Sequence, residues 1–124
     1  MSRKKLPFDS RGGVLVVSRA MRESLAYTSM PATAKVLMDL LQLQWRDDRP
    51  VSYSTREAAS KINCNVKTAC KAFDVLQERG FILCAEQSQF NSKTGSKARE
   101  WILTWMPYMG KKPTHEWENW QKQN

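Results

Sequence analysis

Apolar positions recur at different periods along this chain, and each period predicts an element. Val14 to Val17 is a short, largely β-branched run and predicts a strand. Ser18 then offers a cap to a helical segment, SRAMRESLAYTS, with Met21, Leu25 and Tyr27 turned inward. From Pro31 the stripe Ala34, Leu37, Met38, Leu41 and Trp45 returns at steps of three and four, predicting a helix that ends near Trp45 or Arg46. Pro31 takes the first helical position, which leaves Met30 at the cap and Ser29 one place too early. Asp47-Asp48-Arg49-Pro50 reads as a turn, and Val51 to Tyr53 as a short strand.

The next stretch, STREAASKINCNVKTACKAFDVLQERG, predicts two helices about a tight turn. The first spans about Thr55 to Ile62, with a capping hydroxyl at Ser54 or Thr55 and Glu57 in the first turn, where the helix dipole favours an acid. Asn63 sits where the chain must turn, being best able after Gly to adopt positive φ. Asn65 caps the second helix and Gly80 stops it. Ala58, Ala59 and Ile62 face inward from the first helix, Cys64 plugs the turn, and Ala69, Ala72, Phe73 and Leu76 form one stripe of the second.

After Gly80 the period falls to two. Phe81 to Glu86 and Glu100 to Trp105 predict strands, joined by a polar loop from Gln87 to Arg99 that holds Lys93, Lys97 and Arg99 with no acid among them. Phe90 is expected to fold back onto this hairpin. Pro107 and Gly110 then break the pattern, and Thr114 is placed to cap a last short helix with Trp117 and Trp120 on one face. That aromatic surface packs on its own domain or on a partner. Taken together the chain reads as α+β and mostly helical, with three parts: a flexible basic arm over 1–13, a domain over 14–106 including an N-terminal strand and helix extension, and a Trp-containing tail over 107–124.

Charge and chemistry narrow the functional classes. The formal charge of +8 on 124 residues argues for a polyanionic partner. No apolar run approaches membrane-spanning length and no secretory apolar region follows the N-terminal charges, so a cytoplasmic location is expected. Cys64, Cys70 and Cys84 fall at apolar positions without a CxxC pair and read as reduced, buried hydrophobes. A zinc site from these with His115 has poor spacing, and Asp47-Asp48 has no acid or imidazole near it in sequence; no metal, cofactor or small-molecule ligand is expected. No nucleophile with a base, no phosphate-cradling glycine loop and no spaced carboxylate pair is present, so catalysis has no foothold.

The spacing of Ala59, Ile62, Asn63, Cys64, Ala69 and Ala72 resembles the helix-turn-helix of bacterial DNA-binding proteins, with Asn63 where that family usually has Gly. The hairpin that follows makes the resemblance one to the winged helix-turn-helix family, over Pro31 to Trp105, and LQERGFI (Leu76 to Ile82) is a phrase common in such proteins. The resemblance implies double-stranded DNA binding. Asn65, Val66, Lys67, Thr68 and Lys71 would enter the major groove, with Asn65, Lys67 and Thr68 reading bases. Lys93, Lys97 and Arg99 of the wing would meet phosphates, and Arg56 joins the DNA-binding set. The role implied is transcriptional regulation by a small bacterial, phage or plasmid protein, with homodimerisation open. Two alternatives stand beside it: a replication-initiator-like DNA-binding protein, and a winged-helix protein-interaction module or inhibitor from a mobile element. The plainest reading of the same residues is a helical hairpin in an ordinary core, with a solvated basic face and a solvated loop.

Overall fold

The computed structural model of the chain describes residues 7–85 and 99–122. They form an α+β fold of five α-helices and a small antiparallel sheet. Two short helices, α1 (Arg19–Glu23) and α2 (Leu25–Thr28), precede α3 (Ala32–Leu43). Strand β1 (Val51–Ser52), helices α4 (Thr55–Ile62) and α5 (Val66–Glu78), strands β2 (Ile82–Cys84) and β3 (Glu100–Leu103), and a 3-10 turn at Glu116–Asn119 follow. The strands lie in the order β1-β3-β2, with Val51 opposite Trp101 and Leu83 opposite Ile102.

Helices α4 and α5 have the bounds that their local signals dictate. Ser54 Oγ accepts the Glu57 amide at 3.0 Å, and Asn65 Oδ1 accepts that of Thr68 at 2.7 Å, each relieving one of the donors a helix start leaves unpaired. Asn63 takes the left-handed conformation at φ 68°, and the Cys64 amide donates back to Ala59 O at 3.0 Å. The end of α5 repeats this closure. Gly80 has φ 81°, and the Phe81 amide donates to Leu76 O at 2.9 Å while both side chains are buried.

The core lies where α3, α4 and α5 meet the sheet. Ala34, Ala58 and Ala69 are fully buried, so the helix backbones approach closely at small side chains, while Leu37, Leu41 and Leu76 fill the space around them. Phe73 stacks on Trp101 of β3 at 5.4 Å between ring centres, fixing α5 against the sheet. The C-terminal segment closes the same core from another side. Trp117 is buried and stacks on Phe81 at 6.0 Å, while Trp105 meets Phe81 edge-on at 6.3 Å.

Several expectations are corrected. Val14 to Val17 is not a strand: the sheet takes β1, β3 and β2, and this run is held instead by Gln42 Nε2 donating to Val16 O at 2.9 Å. The helical segment after Ser18 is broken at Ser24, which closes α1 and caps α2 through its Oγ. That break resets the helical phase, leaving Leu25 exposed and burying Ala26 beside Met21. Pro31 stands at the cap of α3 rather than inside it, and α3 stops at Leu43, so Trp45 lies past the helix with its Nε1 donating to Pro107 O. Cys70 is exposed, not buried, and Cys64 and Cys84 are half-buried. Thr114 caps nothing; His115 precedes the 3-10 turn at φ 50° and no side chain caps it.

Candidate nucleic-acid interface

Buried Ala69, Ala72, Phe73 and Leu76 point α5 at the core along one side, which turns the rest of the helix outward. The outward residues are unevenly charged. Lys67 and Lys71 are exposed in the first half, whereas Asp74 and Glu78 are exposed in the second. The N-terminal half of α5 is therefore its electropositive half, to which the helix dipole adds, and the C-terminal half carries the acids.

Two rows run along that N-terminal half, each one turn long. Lys67 and Lys71 form a cationic row. Val66 and Cys70, both exposed, form a less polar row beside it. Thr68 is half-buried, and the Asn65 carbonyl oxygen is engaged by the Thr68 amide. Asn65 is thus a capping residue whose oxygen is turned onto its own helix start, with one of its two lone pairs engaged there.

The sheet brings one more cation to this helix. Arg99 is exposed at the start of β3 and lines a small cleft of about 90 Å3 together with Tyr53, Thr55, Cys70, Asp74 and the Phe73–Trp101 stack. Arg99, which opens β3, therefore adjoins α5 at Cys70 and Asp74. Lys93 and Lys97 lie outside the described residues, as do Phe90 and the arm residues Arg3, Lys4 and Lys5. Arg56 is exposed in the first turn of α4.

The remaining cations separate by what they touch. Arg22 reaches Asp39 at 2.6 Å and lies over the Tyr27 ring, with Lys35 also 5.4 Å from that ring's centre. Arg79 donates to Ala26 O and Ser29 Oγ. Arg11 pairs with Asp9 and Arg49 with Asp48, and in each case the guanidinium hydrogen bond lowers the carboxyl below its ordinary range. Among the described residues, Arg56, Lys67, Lys71 and Arg99 enter no ion pair. All four are exposed, whereas Arg22 and Arg79 are half-buried and tied to other parts of the fold.

Sequence reasoning placed Asn65, Val66, Lys67, Thr68, Lys71, Arg56 and Arg99 on or near this face. It missed Cys70 and the cleft, because the cleft depends on the register that sets Trp101 opposite Val51. Among the described residues no group of three His, Cys, Asp or Glu side chains is placed to hold a metal ion, and no helix is long and apolar enough to cross a membrane. Compared with family models, with curated proteins and with solved structures, the chain matches none of them.

Proposed function

We propose that this chain is a winged helix-turn-helix protein that binds double-stranded DNA sequence-specifically, as a cytoplasmic regulator of transcription. The observation that carries the reading is the division of α5: its N-terminal half presents Lys67 and Lys71 and its second half Asp74 and Glu78, with Arg99 of the sheet in the cleft between Cys70 and Asp74. A helix that enters a groove by its first turns needs this polarity. The element order α3-β1-α4-α5-β2-β3, with the sheet arranged β1-β3-β2, also supports it. In this reading Lys67 and Lys71 follow the major groove, Arg99 and the wing lysines Lys93 and Lys97 neutralise flanking phosphates, and Arg56 meets the backbone from α4.

A mobility-shift titration over a range of salt tests it. With about six phosphates contacted, affinity falls by roughly three decades between 50 and 200 mM salt. Lys93→Ala and Arg99→Ala weaken every duplex to a similar degree, while Lys67→Ala relaxes preference at one or two base pairs by about 1–3 kcal/mol. Absence of salt-sensitive binding to random duplex at micromolar protein refutes the reading and leaves the fold as a protein-binding module.

A further inference from the structure

The geometry points to Val66 as a reader of thymine: its isopropyl group seats against the C5-methyl in the major groove. This rests on the DNA-binding reading above and names the base that the helix selects. Val66 is the first residue of α5 and is 49% exposed, so nearly half of an apolar side chain faces solvent on an otherwise polar, basic surface. Nothing in the core uses it; the buried residues of α5 begin at Ala69. Local structure gives no reason for it either. A β-branched residue is a poorer helix former than the straight-chain residues, and the first turn of a helix favours acids and proline.

In the major groove, an apolar side chain has one apolar base-edge partner, the thymine methyl group. Of the neighbouring side chains, Thr68 also carries a methyl but is half-buried where Val66 is exposed. Asn65 has its oxygen turned onto the Thr68 amide, so presenting a paired donor and acceptor to adenine would break the cap of α5. Lys67 carries only donors, which suit guanine and phosphate. Cys70, one turn further along the same side and exposed, extends the less polar row toward the Arg99 cleft. Thymine discrimination therefore falls to Val66.

Deoxyuridine differs from thymidine by this methyl alone, so it isolates the contact. The duplex recovered by selection from random DNA is remade with each thymidine replaced singly by deoxyuridine, then titrated with the wild-type protein and with Val66→Ala. Alanine is the stronger helix former, so the variant keeps its fold, which thermal melting checks. Wild type is expected to lose about fourfold in affinity at one or two positions, the value of one buried methyl. Val66→Ala is expected to bind the thymidine and deoxyuridine duplexes alike at those positions, and Val66→Ile to keep the discrimination. A wild type indifferent to every replacement overturns the assignment, as do equal losses in wild type and Val66→Ala, or a selected site without thymine. In each of those cases a persisting salt slope keeps the DNA-binding reading standing, whereas no binding to any duplex overturns both.

Discussion

The guanidinium of Arg79 lies 4.2 Å from the centre of the Trp120 ring while its Nη1 donates to Ala26 O at 2.8 Å and to Ser29 Oγ at 2.6 Å. One side chain at the end of α5 thereby ties the C-terminal segment to the junction of α2 and α3. Arg79 is formally one of the cations that make this chain basic, yet its work is internal. Lys cannot reproduce a planar fork that donates to one side and stacks on another. Arg79→Lys is expected to destabilise the fold by about 1–2 kcal/mol through the lost hydrogen bonds. A double-mutant cycle with Trp120→Ala isolates a coupling of about 0.5–1 kcal/mol, read from urea unfolding. On the proposed DNA-binding reading, both variants keep the salt slope of the wild type, because neither position belongs to the proposed interface.

Gly80 is held by two independent constraints. Its φ of 81° disfavours any side chain, and a Cβ there would come within 3.0 Å of the Glu116 backbone. Gly80→Ala is expected to lose about 1–2 kcal/mol from the left-handed conformation alone. The contact with Glu116 adds to this, since backbone must move to relieve it. Trp117 fluorescence should move to the red as its segment lifts from Phe81. An unshifted emission with an unchanged melting point would refute the packing described for this end of the molecule.

Asn65 separates stability from recognition. Removing the cap in Asn65→Ala costs about 1 kcal/mol of stability. Asn65→Asp retains an acceptor for the Thr68 amide and adds a charge that the helix N-terminus favours, so stability is kept or raised. The same charge repels phosphate beside Lys67 and Lys71. Asn65→Asp therefore melts no lower than wild type and binds duplex more weakly, and parallel melting and titration experiments check both halves.

Tyr53 gives the fold an alkaline limit. Burial first, and the nearby Glu57 carboxylate second, raise its phenol above the ordinary value near 10. The neutral phenol is thus favoured in the folded state. Its stabilising contribution is complete below the unfolded value and is lost as pH rises through the folded one. Absorbance at 295 nm should report Tyr53 ionising above the ordinary tyrosine value. Glu57→Gln should bring that ionisation back toward the ordinary value, and Tyr53→Phe should remove the step.

What the sequence made legible was local in origin. The bounds of α4 and α5 follow from Ser54, Asn63, Asn65 and Gly80, and each acts on backbone groups within a few residues of itself. The buried stripe of α5 follows from periodicity for the same reason. Expectations failed where a distant partner decides. Val14 to Val17 has the composition of a strand but takes no place in the sheet, and its Val16 carbonyl is met by the Gln42 side chain from α3. Leu25 is apolar and exposed because Ser24 ends one helix and begins another, a choice that a continuous helical pattern conceals. Cys70 sits at an apolar position and lines a cleft, since what lies opposite it is set by the sheet register. At the candidate interface the residue types were legible, and so was the cap: Asn65 closes the first turn of its own helix as its sequence position predicts.

The side-chain amide of Gln42 also bears on how the molecule is assembled. It donates to Val16 O, 26 residues earlier, and accepts from Trp105 Nε1, 63 residues later. A ribosome delivers the first of these partners before α3 and the second only after the last strand. The leading segment can be laid on α3 early, but the amide stays half-satisfied until the indole emerges. A nascent chain halted short of Trp105 lacks the donor to the Gln42 oxygen, so this buried amide is paired on both sides only once Val16 and Trp105 are both present.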